Sequence, residues 1–332
     1  MHTSRKDIST LTPIFPGLAV SAVVAIAATF LSVHYRASAM LFALLLGMAL
    51  NFLTEEGQCR QGIQVASSHV LRIGVALLGL KITVGQVVAL GWSTAALVVV
   101  AVVATVFVGI LLARAMKLTN SFGTLTGGAV AICGVSAALA IASILPKHPH
   151  AERDASFTAI GVTALSTIAM IVYPVVVGAF GLNPHDAGIF LGGTIHDVAQ
   201  VVGAGYSVSQ DAGDTATIVK LLRVAMLLPV CVAIGVALHV RGNQAARSAP
   251  LLPWFAVVFA ILVVVNSAGF IPAPVADFGN ELSRWFLVTA IAAIGMKTSI
   301  KSLVAMGLKP VMLVVLETLF LAALVMAAIH WR

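Results

Sequence analysis

The stretch Gly192–Gly205 reads GGTIHDVAQVVGAG and sets an imidazole beside a carboxylate inside an apolar run that extends from about 187 to 208. At roughly 1.5 Å of rise per residue, His196 and Asp197 fall near the middle of a hydrocarbon layer about 30 Å thick. Adjacent residues of a regular helix point about 100° apart, so the two side chains cannot address one ligand unless the helix is broken. Gly192, Gly193, Gly203 and Gly205 flank the pair and permit such a break. Two readings of the pair stand side by side. It is a titratable couple at a binding cavity, with Gln200 extending the same face by one turn, or Asp197 is the ion partner of Lys220, Arg223 or Arg72.

The rest of the chain sets the solvent in which that pair sits. Its 332 residues are 60% hydrophobic and 9% charged, with a mean hydropathy of +1.06, a composition outside the range of soluble domains. Backbone groups in lipid must be satisfied within their own segment, so apolar runs of this kind are read as helices. They lie near 14–33, 37–53, 62–80, 92–112, 121–145, 156–180, 187–208, 215–239, 251–271, 282–296 and 310–330. The expected fold is an all-α integral membrane protein of about 10–11 transmembrane helices, discontinuous in places. Residues 1–332 form a single polytopic domain with a short cytoplasmic tail at 1–13. The run after that tail is long enough to remain as a first span instead of being cleaved as a signal peptide. The intervening loops are short and leave no room for a soluble catalytic domain.

Other functional classes recede on composition. Cys59, Cys133 and Cys231 show neither disulfide nor metal-ligand spacing, and no cofactor motif occurs. The formal charge of +7 is scattered over loop ends, which fits the positive-inside rule with the N-terminus inside and gives no nucleic-acid surface. HExxH, Gly-x-Ser-x-Gly and paired catalytic carboxylates are all missing, so the chain does not read as an enzyme.

Two stretches resemble each other: GLKITVGQVVALG from Gly79 and GMKTSIKSLVAMG from Gly295. Seven runs, 92–112 through 282–296, separate them, and an odd number inverts the second copy relative to the first, as in the inverted repeats of many secondary transporters. The same pattern also suits two helix ends with a glycine cap and a snorkelling lysine.

Apart from Arg284, at the polar start of the run 282–296, three basic residues remain inside the runs: Arg72, Lys220 and Arg223. A charge at mid-depth costs about 2.5–3.5 kcal/mol and usually faces a cavity or a partner. Lys220 could also snorkel to the interface. Glu317, in the last run, is read as paired with a lysine at a loop or helix end. A second anomaly is GTLTGGAVAICGVSAALAIAS, Gly123–Ser143, dominated by small residues. It serves either as close helix packing or as a helix interrupted around Gly127, Gly128 or Gly134, with half-helix N–H groups and the Ser136 hydroxyl turned to an anion.

CGVSAALA, GGTIHDVAQVVGAG, TATIVKLLRVAMLLP and the two Gly-x-Lys turns resemble the bacterial YeiH-like sulfate exporter family of multi-pass membrane proteins, over about Ala37 to Lys309. That family is distantly similar to bile-acid symporters and cation–proton antiporters, which carry inverted repeats and crossing, broken helices. The resemblance implies a secondary transporter of the bacterial plasma (inner) membrane, with Cys133–Ala137 and His196–Gln200 near its site. The partners expected are the lipid bilayer, a small anion such as sulfate or a sulfonate, and protons or another coupling ion; a homo-oligomer is allowed. Candidate substrate-binding residues are Arg72, Gly127, Gly128, Cys133, Gly134, Ser136, His196, Asp197, Gln200, Lys220 and Arg223. A cation–proton antiporter built on Asp197 is the alternative.

Overall fold

The computed structural model describes residues 14–35, 38–55, 57–146, 148–240, 253–297 and 308–331. The tail 1–13 and all but the first three residues of the GMK stretch, 298–307, lie outside them. Among the described residues all regular structure is helical. The long elements are α1 (Phe15–Tyr35), α2 (Ala39–Ala49), α3 (Arg60–Leu80), α4 (Gly91–Ala115), α5 (Asn120–Ala131), α6 (Val135–Ile144) and α7 (Ala151–Ala179). They continue as α8 (Pro184–Thr194), α9 (Val198–Val208), α10 (Gln210–Ala225), α11 (Leu227–Val240), α12 (Trp254–Ser267), α13 (Ala273–Lys297) and α14 (Leu308–His330). Six helical stretches among the described residues are long and apolar enough to cross a membrane: α1, α3, α4, α7, α10 with α11 through Leu238, and α14.

Each apolar run has a helical counterpart, with three informative differences. Runs 121–145 and 187–208 are each two helices, α5/α6 and α8/α9, because the chain leaves helical geometry at Ile132–Gly134 and Ile195–Asp197. The run beginning at 282 starts earlier, at Ala273, so Glu281 and Arg284 lie inside α13, where they form an i, i+3 pair at 3.7 Å on an exposed face.

The chain divides into two compact units. One comprises residues 1–89, 202–208 and 254–299, and holds α1, α2, α3, α12 and α13; the other comprises 90–201, 209–253 and 300–332, and holds α4–α8, α10, α11 and α14. In the first, α2 packs on α13 through paired glycines. A Cβ on Gly47 would strike the Ala292 carbonyl, and one on Gly295 the Leu44 carbonyl. In the second, α4 and α5 approach through Gly109, Gly123 and Gly127, the small-residue contact that lets membrane helices pack backbone to backbone. Polar side chains inside the helices are mostly tied to the preceding turn. Thr94, Thr105 and Thr217 donate to carbonyls four residues back at 2.6–2.7 Å.

Gly109 faces both Gly123 and the Glu317 carboxylate. An added Cβ would lie 2.7 Å from the Gly123 oxygen and 2.6 Å from Glu317 Oε1. We expect Gly109→Val to lower stability by at least the ~1–3 kcal/mol of an overpacked core. Gly178→Val, whose Cβ meets nothing within 4 Å, should leave it nearly unchanged; thermal unfolding of the two purified variants checks the contrast.

Candidate functional site

The second unit carries the polar centre, and its organising feature is the pair of breaks. Helix α5 ends where Ile132 turns to φ −109°, ψ −85°, and α6 restarts from Gly134 at φ +65°, a left-handed conformation that favours glycine. Helix α8 ends at Ile195, which is extended (ψ 138°), and α9 restarts after Asp197. The two breaks touch, since a Cβ on Gly134 would lie 3.7 Å from both Cβ and the carbonyl oxygen of His196.

Each interruption strands carbonyls that a continuous helix would have paired, and in lipid an unpaired backbone group costs several kcal/mol. Helix α10 supplies the donors. Lys220 and Arg223 are three residues apart, so they share one face. Lys220 Nζ donates to the carbonyls of Ile132 (2.6 Å), Ile195 (3.0 Å) and His196 (2.5 Å). Arg223 donates from Nε to Ala131 (2.8 Å), from one terminal nitrogen to Gly192 and Ile195 (both 3.0 Å), and from the other to Val130 (2.8 Å). Both side chains are buried, at 0% and 1% exposure. They therefore sit against the negative C-terminal ends of both α5 and α8.

These bonds revise two expectations. Lys220 does not snorkel, and all three of its ammonium hydrogens are committed to backbone carbonyls. Arg223 commits four of its five N–H groups in the same way. The sequence offered both to a substrate anion or to Asp197; their hydrogen bonds go to backbone carbonyls instead.

Around the breaks the remaining candidates take separate roles. Asp197 Oδ1 accepts from the Ala199 N–H at 2.9 Å, which makes it the N-cap of α9, while its own N–H donates to Ser166 Oγ at 3.0 Å. Its carboxylate also lies within electrostatic reach of Lys220 and of the buried Cys133 thiol. Gln200 accepts from Ser166 Oγ at 3.0 Å and donates to Thr167 Oγ1 at 3.3 Å, so it ties α9 to α7. His196 is fully buried, with Nε2 3.0 Å from Thr318 Oγ1. That hydroxyl donates to the Val314 carbonyl at 2.7 Å and so accepts from Nε2–H, which leaves Nδ1 buried with no hydrogen bond. Ser136, in the first turn of α6, is exposed, and no side chain caps that helix.

Gly127 and Gly128 do not form the break. Gly127 packs against α4 at the Thr105 carbonyl, Gly128 receives the Ile141 side chain, and Gly134 makes the interruption. Arg72 belongs to the other unit, where it is exposed on α3. Glu317 is buried at 0% exposure; Oε1 accepts from Thr126 Oγ1 at 2.7 Å and Oε2 has no hydrogen-bond partner, so the expected lysine is replaced by a hydroxyl. Ser166, Thr167 and Thr318 escaped the sequence reading, because single hydroxyls in apolar runs are common and their partners come from distant helices.

Comparison with known proteins sets this centre in a family. The family described as "Conserved hypothetical protein 698" matches residues 16–314. A UPF0324 membrane protein of Chlorobaculum tepidum is 56% identical over 321 residues, covering 96% of this chain and 89% of that one. The chain belongs to the UPF0324 membrane protein family. Another relative, UPF0324 membrane protein TauZ of Paracoccus denitrificans, is 50% identical over 320 residues and 95% of each chain. Among solved structures, the sodium proton antiporter MjNhaP1 from Methanocaldococcus jannaschii at pH 8 aligns over 96% of this chain and 99% of its own, at 11% identity and a TM-score of 0.30. A likeness that slight says nothing about the fold. The UPF0324 relatives are named as membrane proteins, in keeping with a multi-pass helical protein and pointing away from an enzyme.

If Lys220 holds the breaks together, Lys220→Met should act first on stability. Removing one partner of a buried charged network costs about 3–5 kcal/mol, so this variant should show a lowered unfolding temperature and poor yield. Arg223→Lys should be destabilised as well, because an ammonium offers three donors from one nitrogen where the guanidinium makes four hydrogen bonds from three nitrogens. Thermal unfolding in detergent or nanodiscs reads both.

Proposed function

We propose that this UPF0324 protein is a secondary transporter of the bacterial plasma membrane that exports a small oxyanion of the sulfate or sulfonate class, coupled to a proton or ion gradient. The observation that carries this reading is the charge inventory at the crossing. A helix end bears roughly half an elementary charge, positive at its N-terminus and negative at its C-terminus. The C-terminal ends of α5 and α8 and the Asp197 carboxylate together offset the N-terminal ends of α6 and α9 and one of the two cations. The other cation is left, a net charge of about +1 that a sulfonate balances alone and a sulfate dianion balances together with one proton.

The N-terminus of α6 offers the contact. The N–H groups of Val135 and Ser136 have no partner within their helix, and the exposed Ser136 hydroxyl stands beside them. Lys220 and Arg223 act on the anion through their field and by holding the two breaks together, not by direct hydrogen bonds. His196, with its vacant Nδ1, is the group assigned to carry the coupling proton, and Asp197 and Gln200 fix the turn in which it sits. An inverted repeat relating the stretches at Gly79 and Gly295 belongs to the same proposal.

A cation–proton antiporter is the competing class, and it would need carboxylates to dominate the crossing. Reconstitution separates the two. Proteoliposomes under an imposed pH gradient should accumulate labelled sulfate or methanesulfonate saturably, whereas proton-coupled flux of sodium or potassium without anion movement would replace this reading with the other. In the same assay Ser136→Ala should raise the half-saturating anion concentration about fivefold, the equivalent of one hydrogen bond of about 1 kcal/mol.

A further inference from the structure

Helix α3 is the least apolar of the six membrane-length helices, and its polarity is arranged on one face. From Arg60 to Arg72 the exposed residues are Arg60, Gln61, Gln64, His69 and Arg72, with Ser68 half-buried between them. Gln61, Gln64, Ser68 and Arg72 recur at intervals of three, four and four, the spacing of a helical stripe. The opposite face, with Ile63 and Ala66, is buried, and beyond Arg72 the stripe ends at the buried Val75 and Ala76.

The exposed faces of α4 and α14 have the reverse character. On α4 the exposed residues in mid-helix include Val99, Val100, Val103, Phe107 and Leu111, and on α14 Met312, Leu316 and Leu319. Those faces suit lipid; the α3 face does not. A guanidinium twelve residues, or about 18 Å, into a membrane helix is costly against hydrocarbon and is found facing water or a partner. The stripe also runs over the one wide, π-type turn among the described residues, Ala66–Val70, a feature frequent at functional sites. Ser67 and Ser68 both donate to the Gln64 carbonyl there, at 3.1 and 2.7 Å, and Lys297 Nζ reaches Ser67 Oγ at 3.3 Å.

We propose that the Gln61–Arg72 face of α3 lines a water-filled path into the membrane, and that Arg72 makes this path selective for small anions. The selectivity rests on the anion-transport reading above; the wet path does not. Gln61, Gln64 and Ser68 offer neutral hydrogen-bonding groups to a partly hydrated ion, and Arg72 holds the deepest charge on the face. Side chains four apart on a helix lie about 5–6 Å from each other, so the field of Arg72 is felt directly at Ser68.

Thiol accessibility tests this without any transport assay. In a Cys59→Ser background, with Cys133 and Cys231 left buried, single cysteines are placed at Gln61, Gln64 and Ser68, and for comparison at Val100 and Phe107 on α4. Membrane-impermeant methanethiosulfonates are then applied to reconstituted protein, one carrying a sulfonate and one a trimethylammonium group. The stripe positions should react about tenfold or more faster than the α4 positions, and three positions are used so that one poorly folded variant does not decide the result. At Ser68→Cys the preference for the anionic reagent should fall about three- to tenfold when Arg72→Gln is added. Stripe cysteines as unreactive as those on α4 would overturn the wet path. Reactive cysteines whose reagent preference ignores Arg72 would overturn the selectivity. Reactive, Arg72-dependent cysteines in a protein that moves no sulfate or methanesulfonate would leave this inference standing and remove the anion exporter proposed above.

Discussion

Seven hydrogen bonds from Lys220 and Arg223 meet the carbonyl ends of two interrupted helices, and the rest of the polar centre depends on them. The pairing answers two costs together. Cations buried in a bilayer need negative partners, and broken helices in a bilayer need donors for their stranded carbonyls. Neither feature would be tolerable alone at that depth. Helix α10 brings both cations to one side because they are three residues apart, and Gly188 and Gly192 on α8 let it approach; a Cβ on Gly192 would strike the Ala216 carbonyl.

From this clasp follow the positions of the groups that can act. With the C-terminal ends of α5 and α8 held, the chain re-enters helix at Gly134 and Asp197, which leaves the α6 N-terminus uncapped and caps α9 with a carboxylate. His196 sits between, its backbone carbonyl on Lys220 and its ring on Thr318 of α14. The same helix carries Glu317, bonded to Thr126 of α5. Helix α14 thus touches the centre through adjacent residues, a link between the breaks and the small-residue contact of α4 with α5.

Much of the fold was legible in the sequence because a bilayer makes apolar length a direct readout of helix. The breaks were only partly legible, since glycines around a deep His-Asp pair permit one but also serve close packing, as Gly192 does against α10. Which glycine breaks its helix was not. Gly127, Gly128 and Gly134 look alike as letters, and only the neighbours distinguish close contact with α4 or Ile141 from a left-handed turn. The roles of Lys220 and Arg223 were half legible. Their depth signalled a partner, but carbonyls freed by helix breaks leave no mark in the sequence, so an anion or the Asp197 carboxylate took their place. Glu317 misled for a similar reason, because its partner is a hydroxyl 191 positions away.

The clasp itself can be measured. With 15N in lysine side chains and 13C in the carbonyls of isoleucine and histidine, dipolar recoupling by solid-state NMR in lipid bilayers reads the distance from Lys220 Nζ to the carbonyl carbons of Ile132, Ile195 and His196. Donor–acceptor distances of hydrogen-bonding length place those carbons within about 4 Å of the nitrogen. Strong dephasing that disappears in Lys220→Met is the expected result. A Lys220 nitrogen with no carbonyl carbon of these residues inside about 6 Å would contradict the account, because the two helix ends would then lack the donors on which the breaks depend.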